Sequence, residues 1–188
     1  MHLFLNTIGF IIFLFTLLLL LIFVIKLIIF MFQRRHFPKK LLITTLTGFA
    51  LFLAIFVYIQ YFFTFNAIDK DYIQNGPGPV LSPTEKYMAN AYYEPYGGAG
   101  PAGGVNVWIE ITNNEDNTTK TVYYADAKSQ FSMEWIDEAT LSIINNEPSY
   151  PNSNRSVKFN IEKEIYHENG LACQSLLLKK AYEKCYQN

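Results

Sequence analysis

The sequence predicts a membrane protein of the α+β class. A hairpin of two transmembrane helices is followed by a small antiparallel β-meander domain, which ends in a short C-terminal hairpin or helix. Two apolar runs of 25 residues each occupy positions 8–32 and 41–65. All 16 Asp and Glu residues follow residue 66, whereas five of the 15 Lys and Arg residues precede it. After residue 82, apolar residues alternate with polar ones at the period of two that is typical of half-buried strands.

These observations divide the chain into a helical hairpin (1–66), a Gly/Pro linker (67–81) and a β domain (82–188). The formal charge is +5 before residue 67 and −6 after it. Fourteen of the 16 Phe lie in the first part and eleven of the 13 Tyr in the second, as expected when one part faces hydrocarbon and the other a wet surface. The acidic character of the second part argues against nucleic-acid binding.

Each apolar run is long enough to cross a bilayer, because a 25-residue helix is about 38 Å long and the hydrocarbon core is about 30 Å thick. Lys26 is the only charged residue in the runs, and its long side chain can reach the headgroups from its position near the basic loop. The first run lacks the positive start of a cleaved signal peptide, so we expect it to be retained. Small side chains in the second run favour packing against the first helix over dimerisation; they are Thr44, Thr47, Gly48, Ala50 and Ala54.

The orientation follows from the positive charges of the short loop between the runs. Arg34, Arg35, Lys39 and Lys40 lie in this loop, and residues 1–7 contain no Lys or Arg. Short loops rich in Lys and Arg remain in the cytoplasm. We therefore predict a two-span protein of the cell membrane, with both termini and the C-terminal domain outside the cytoplasm.

The linker and the β domain differ in their local pattern. Gly76-Pro77-Gly78-Pro79 fits neither a helix nor a central strand. Short turns between neighbouring strands require antiparallel pairing, which gives a meander of five or six strands whose core Trp108 or Trp135 helps to fill. The strand candidates are residues 87–93, 105–111, 120–125, 131–136, 140–145 and 157–161.

The C-terminal segment has two interpretations. Asn169-Gly170 is a two-residue hairpin signal, but residues 171–186 also fit a helix. On one straight helix Cys173 and Cys185 would lie about 18 Å apart, beyond the roughly 7 Å limit for a disulfide. Because an exported domain lies in an oxidising compartment, we expect Cys173 to bond Cys185 and the chain to break between them. The alternative is that both are small buried apolar residues.

The sequence contains no pattern typical of serine hydrolases, zinc proteases or calcium loops. His167 is the only histidine after residue 66, which excludes a multi-histidine metal site there, and we expect it at the surface or at a strand end. We assign no catalytic residue, no cofactor and no metal. An acid and base pair would have to come from four carboxylates that are more typical of solvated turns; these are Asp126, Glu134, Asp137 and Glu138.

A glycine-rich segment at 92–104 is entered through three tyrosines. It lacks the Gly-Lys-Ser/Thr of a phosphate-binding loop and leads into a strand. The favoured interpretation is a connection that needs unusual backbone angles; the other is a contact loop that engages a partner. The candidate contact residues are Tyr92, Tyr93, Tyr96, Gly97 and Gly98.

Several short motifs carry a resemblance to a known family. They are Ser-Pro-Thr-Glu-Lys-Tyr-Met-Ala at 82–89, Tyr92-Tyr93, Gly-Gly-Ala at 97–99, residues 105–111, Tyr123-Tyr124 and Glu-Trp-Ile-Asp at 134–137. Over about residues 82–164, the chain resembles an uncharacterised family of small Gram-positive bacterial membrane proteins, domain of unknown function 5412. The resemblance implies a membrane-anchored β domain and brings no known activity. The tail from His167 extends past the family pattern.

We therefore expect a membrane-anchored extracytoplasmic binding or interaction module, associated with the cell envelope and without enzymatic activity. The alternative is an accessory subunit of a larger membrane complex, which docks through a strand edge or the tyrosines. An envelope hydrolase is the least favoured class. The expected partners are the lipid bilayer and a membrane or envelope protein.

Overall fold

A computed structural model describes residues 2–33, 36–65, 73–97 and 103–188. Arg34, Arg35, Gly98 and the first part of the predicted linker lie outside the described residues. The chain divides into two compact units, Met1–Phe62 and Phe63–Asn188. The first unit is helical and the second contains the β-sheets, as the predicted α+β class requires.

The first unit consists of α1 (His2–Gln33) and α2 (Lys39–Tyr61). Both helices are long and apolar enough to cross a membrane. Lys39 and Lys40 form the first turn of α2. This helix ends four residues before the predicted end of the second apolar run, because Phe63 and Phe65 are buried in the core of the second unit instead.

The two helices pack closely where α2 carries Gly48. A Cβ atom at Gly48 would lie 2.4 Å from Thr16 Oγ1, so only glycine permits this approach. Thr16 is buried, and its hydroxyl donates a hydrogen bond of 2.7 Å to the Ile12 carbonyl. The predicted packing of the second helix against the first is therefore present in the hairpin.

The second unit contains a seven-stranded mixed sheet. Its strand order is β1-β3-β4-β5-β9-β10, and β2 also pairs with β3. β9 is parallel to both β5 and β10, whereas the other pairs are antiparallel. The strands are β1 (Gln74–Asn75), β2 (Val80–Leu81), β3 (Tyr87–Tyr96), β4 (Gly104–Asn113), β5 (Thr118–Asp126), β9 (Glu164–His167) and β10 (Lys184–Tyr186).

A second, three-stranded antiparallel sheet packs against the first. It consists of β6 (Gln130–Trp135), β7 (Thr140–Asn146) and β8 (Val157–Asn160). The main hydrophobic core draws on both sheets, and its fully buried members include Val107, Ile109, Tyr123, Leu141 and Phe159. All six predicted strands are thus present as β3 to β8.

The six predicted strands form two antiparallel groups and not one continuous meander, because β5 and β6 belong to different sheets and do not pair. After β8 the chain turns again and leaves the small sheet for the large one as β9. Asn160 makes this turn, since its side-chain oxygen accepts hydrogen bonds from the backbone N–H groups of Glu162 and Lys163, at 2.9 and 3.2 Å. Tyr166 of β9 then stacks on Tyr123 of β5, with ring centroids 4.9 Å apart. Both rings are buried, and β9 runs parallel to β5.

The predicted linker is also partly structured. Within residues 73–81, β1 and β2 pair with β3, and Gly76 N–H donates to the Ala91 carbonyl at 2.9 Å. Ala91 N–H in turn donates to the Pro77 carbonyl at 3.1 Å. Proline is tolerated here because an edge strand needs to pair on one side only.

The C-terminus contains a short helix, one of the two predicted forms, but this helix has a single turn and does not extend over residues 171–186. Gly170 adopts a left-handed conformation, φ 69°, and begins the single-turn helix α3 (Leu171–Gln174) instead of closing a hairpin. The chain then returns to form β10 alongside β9 in the parallel direction. The expected bond between Cys173 and Cys185 is present, with Cα atoms 5.2 Å apart, because the helix ends between them.

Candidate functional site

Two rows of side chains cross the face of the large sheet that points away from the small sheet. Successive residues of a strand point to opposite faces, so residues paired across strands share a face with their partners. The strand register aligns Glu94, Asn106 and Asp126 in a polar row, and Tyr92, Trp108, Tyr124 and His167 in an aromatic row.

The aromatic row is a packed layer. Tyr92 stacks on Trp108 at 5.6 Å between ring centroids, and Tyr124 stacks on His167 at 5.2 Å. The Phe63 ring meets the His167 ring edge-on at 4.8 Å. Trp108 and His167 are buried, so His167 occupies the expected strand end but does not reach the surface. The row therefore stabilises the sheet and offers few accessible atoms to a ligand.

The polar row is linked to the aromatic row through Tyr124. The Tyr124 hydroxyl donates to Glu94 Oε2 at 3.3 Å, and Asn106 Nδ2 donates to the same oxygen at 3.4 Å. Burial, followed by the charge of Glu94, raises the pKa of the Tyr124 hydroxyl. Tyr124 is thus kept as a hydrogen-bond donor at neutral pH.

Tyr96 is the exposed aromatic residue at the end of these rows. Its side chain is 44% exposed, and its hydroxyl donates to Asp126 Oδ1 at 3.1 Å. A Cβ atom at Gly104 would lie 2.4 Å from Tyr96 Cζ, so glycine lets the ring lie across β4 toward β5. Lys128 Nζ contacts the other Asp126 oxygen at 2.5 Å. We call Tyr96, Gly104, Asp126 and Lys128 the Tyr96 platform.

The predicted contact residues do not share one surface in the structure. Tyr92, Tyr93 and Tyr96 belong to β3, so the connection to β4 is shorter than the glycine-rich segment suggested. Tyr93 faces the core, with its ring 6.0 Å from that of Phe131. Tyr96 and Gly97 are exposed, and Gly97 has a φ of 81°, which suits glycine.

Asp126 was not connected with Tyr96 in the sequence prediction. The two residues are 30 positions apart, and their contact depends on the register of three strands. Gly104 is the sequence feature that could have indicated this contact. Tyr96 pairs directly with Gly104 in the β3–β4 hairpin, and a residue without a side chain leaves room for the ring.

The four carboxylates considered for acid–base chemistry have different environments. Asp137 accepts hydrogen bonds from Thr140 N–H at 2.8 Å and Ala139 N–H at 3.0 Å. The pKa of Asp137 is lowered mainly by the side chain of Thr140, and the backbone bonds add to this effect. Such bonds are typical of a turn. Glu134 is exposed on β6, and Asp126 belongs to the Tyr96 platform.

Glu138 connects the turn after β6 with the segment before β3. It accepts hydrogen bonds from Ser82 Oγ at 2.6 Å and Thr84 N–H at 2.9 Å. The Ser82 bond is the main cause that lowers the pKa of Glu138, so this carboxylate is ionised at neutral pH. Within the described ranges, no group of three or more His, Cys, Asp or Glu residues is arranged to hold a metal ion.

Comparison of the sequence with known proteins finds a match to one protein family. No curated protein and no solved structure matches the chain. A model for a family of unknown function, DUF5412, matches residues 39–166. The match begins at the first residue of α2 and ends at Tyr166 in β9, so it starts well before the predicted residue 82. α1 and the cysteine-containing tail lie outside the match. The chain therefore belongs to the DUF5412 family.

Proposed function

We propose that this protein is a membrane-anchored extracytoplasmic interaction module. α1 and α2 cross the cell membrane as a hairpin, both termini lie outside the cytoplasm, and the β domain contacts a membrane or envelope protein through the Tyr96 platform. The observation that carries the proposal is the apolar, outward-facing surface of the two helices.

Both helices suit a hydrocarbon environment. Most of their large apolar side chains are exposed, including Phe32, Ile43 and Leu53. In water such a surface would be strongly unfavourable, at about 25 cal/mol per Å² of apolar area. The threonine hydroxyls of α2 donate to backbone carbonyls four residues earlier, at 2.9 to 3.0 Å. These bonds satisfy the threonine hydroxyl groups, for which lipid offers no hydrogen-bond partner.

Two features support an extracytoplasmic β domain. Arg34 and Arg35 lie between the two helices in sequence, Lys39 and Lys40 begin α2, and positive charges clustered in this way remain in the cytoplasm. The bond between Cys173 and Cys185 is typical of an oxidising compartment. Each feature leads independently to the same orientation.

The Tyr96 platform supports a protein contact. Its exposed ring lies on a β-strand and is held by a hydrogen bond to Asp126, so little conformational entropy is lost when a partner covers it. Asp126 and Lys128 add one charge of each sign at its edge, which favours a partner surface of mixed polarity.

The topology can be tested with single cysteines in whole cells. The two native cysteines are bonded to each other, so an introduced thiol reacts alone. Tyr150→Cys, in an exposed loop of the β domain, should react with a membrane-impermeant maleimide in intact cells. His36→Cys, in the loop between the helices, should react only after lysis. If Tyr150→Cys also requires lysis, the proposed orientation is wrong.

The contact can be tested with a photo-crosslinking amino acid at Tyr96 and a matched control at Lys158, which is exposed on β8. We expect a discrete crosslinked protein from position 96 and none from position 158. Complete conversion to one product indicates an accessory subunit of a larger complex, and partial conversion indicates a reversible module. Equal results at the two positions would overturn the proposed contact surface.

A further inference from the structure

We propose that the β domain makes a second contact with the membrane, through Leu176, Leu177, Lys179 and Lys180. This set is called the membrane tip below. The leucines enter the headgroup region of the outer leaflet, and the lysines bind anionic lipid headgroups. The inference rests on the proposed function, since it requires α1 and α2 to cross the same bilayer.

The membrane tip exposes apolar surface in an otherwise well-packed domain. Leu176 and Leu177 are 55% and 54% exposed. Across the described part of the second unit, they are the only two consecutive large apolar residues that are both exposed. Neighbouring Leu178 packs against the buried cluster that contains Phe63 and Phe65. The segment is therefore fixed on its inner side and apolar on its outer side.

The position of the tip is set by a buried hydrogen bond. Ser175 Oγ donates to the Phe63 carbonyl oxygen at 2.6 Å, and Ser175 is fully buried. Phe63 follows Tyr61, the last residue of α2, by two positions. Because a chain advances at most about 3.6 Å per residue, Phe63 lies within about 7 Å of the end of this helix. The residue that precedes Leu176 and Leu177 is thus bonded to the chain two residues after α2 ends.

The charge of the tip suits a lipid surface. Residues 175–182 contain two lysines and no acidic residue, although the chain after residue 66 has a formal charge of −6. Lys179 and Lys180 are exposed, and neither forms an ion pair with another described residue. Apolar side chains followed by lysines are typical of segments that lie in the interface and bind anionic headgroups.

The disulfide keeps the tip in this arrangement. Cys173 and Cys185 flank it on both sides with a sequence separation of 12. The Ser175 hydroxyl also accepts a hydrogen bond from Leu177 N–H at 3.2 Å, which defines the turn that presents the leucines. A pre-ordered tip loses little entropy when it enters the interface. Its bond to the chain two residues after α2 favours lipid over a second protein as the occupant.

The experiment places nitroxide spin labels on single cysteines in the full chain, reconstituted in vesicles of phosphatidylethanolamine and anionic phosphatidylglycerol. The labelled variants are Leu177→Cys in the tip, Leu53→Cys in α2 and Tyr150→Cys in a distant exposed loop; Leu53 is 63% exposed and Tyr150 is 69% exposed. Peptide mass spectrometry confirms that Cys173 remains bonded to Cys185. Power saturation then compares collisions with oxygen, which enters lipid, and with a water-soluble nickel chelate.

We expect the labels at 53 and 177 to collide more with oxygen and the label at 150 to collide more with the chelate. If the label at position 53 is in lipid and the label at position 177 behaves like the label at position 150, the proposed lipid contact of the membrane tip is wrong. The proposed anchoring by the two helices stands in that case. If the label at position 53 is in water, the proposed function is wrong, and the proposed lipid contact of the membrane tip is wrong with it. A label at 177 that is shielded from both reagents indicates a protein contact and overturns the tip.

The charge contribution has its own test. In the Leu177→Cys background, Lys179→Glu with Lys180→Glu should shift the label toward the chelate, and the shift should be larger in anionic vesicles than in phosphatidylcholine vesicles. An equal shift in both lipids would overturn binding of anionic headgroups.

Discussion

The side chain of Ser175 donates a hydrogen bond of 2.6 Å to the carbonyl oxygen of Phe63, a residue 112 positions earlier in the chain. The bond is buried and connects the first residue of the β unit to its C-terminal segment. The rings of Phe63 and Phe65 pack on His167 of β9, at 4.8 and 6.1 Å. The residues that follow α2 are therefore part of the β domain's second core.

Ser175→Ala removes the donor and leaves the buried Phe63 carbonyl without this bond. We expect a loss of about 1 kcal/mol in the free energy of unfolding of the β domain, the usual net contribution of one intramolecular hydrogen bond. Urea unfolding of the full chain in detergent measures it, with tryptophan fluorescence as the probe, because Trp108 is buried in this domain.

Ser153→Ala is the matched control for this measurement. Ser153 Oγ also donates to a backbone carbonyl, that of Tyr150 at 2.7 Å, but at an exposed site. Water can replace this bond, so we expect a change within about 0.5 kcal/mol. Equal losses for the two serine variants would show that burial of the Ser175 bond does not increase its contribution to the free energy of unfolding.

The disulfide should contribute to the stability of the C-terminal edge of the large sheet. β10 has three residues and, among the strands that the structure describes, pairs only with β9. Replacing Cys173 and Cys185 with alanine removes a covalent loop of about a dozen residues, which in chain-entropy terms costs about 3 kcal/mol. Hydrogen exchange should increase most for the amides of 184–186, while those of β4 remain protected.

Dithiothreitol is the control for the disulfide prediction. It should destabilise the parent protein to the level of the double alanine variant and leave that variant unchanged. A parent protein with unaltered exchange at 184–186 after verified reduction would contradict the prediction.

Local pattern predicted much of this fold. Strict alternation over residues 105–111 predicted β4, and the separation of charge and aromatic residues located the two units. The parallel placement of β9 could not be predicted, because four residues have no pattern that selects a partner. Its position depends on the contact of Tyr166 with Tyr123, between residues far apart in sequence.

The candidate site was predicted less well for a related reason. Composition marked the tyrosines near Gly97, but their roles depend on the face of β3 to which each one points. Tyr93 points to the core, Tyr92 stacks on Trp108, and Tyr96 remains exposed. A shift of one residue in strand register would exchange these roles, and only the paired strands define that register.

Gly104 should be required for the geometry of Tyr96. In Gly104→Ala the new methyl group would meet the far end of the Tyr96 ring, which can move because it is exposed. We expect a loss of about 0.5–1 kcal/mol in the free energy of unfolding when Tyr96 is present, and a smaller loss in a Tyr96→Ala background. A double-mutant cycle by urea unfolding measures this coupling. Strictly additive losses would contradict the proposed contact.

Glu138 should make the β domain sensitive to acid. Its hydrogen bonds, mainly that from Ser82, lower the folded-state pKa below the ordinary glutamate value of 4.5. Because the folded pKa is the lower one, this stabilisation is complete above about pH 4.5 and is lost as the pH falls through the folded pKa. Thermal unfolding at a series of pH values should show a shallower decline below pH 4.5 in Glu138→Gln than in the parent.

Two variants test the origin of this acid sensitivity. Ser82→Ala removes the main hydrogen bond to Glu138, so it should also make the decline shallower. Glu134→Gln removes one negative charge at an exposed position of β6 and controls for net charge. If Glu134→Gln and Glu138→Gln change the pH profile equally, the effect comes from total charge and not from the Ser82 bond.

The close approach of α1 and α2 at Gly48 leads to a prediction of compensation. In Gly48→Ala the new Cβ would lie 2.4 Å from Thr16 Oγ1 and 3.1 Å from Thr16 Cγ2, so the helices must separate or rotate. Overpacking of this kind typically costs about 1–3 kcal/mol. Thr16→Ala deletes both clashing atoms and leaves only the Cβ of residue 16, at 3.3 Å.

We therefore expect Gly48→Ala to weaken the helical hairpin and Thr16→Ala to restore most of the loss when both changes are combined. Unfolding of the hairpin by dodecyl sulfate in mixed micelles measures the effect, with circular dichroism and a fluorophore pair on the two helices as probes. Ala54→Gly, elsewhere on α2, controls for helix propensity. Failure of Thr16→Ala to rescue Gly48→Ala would mean that another contact determines how closely the two helices pack.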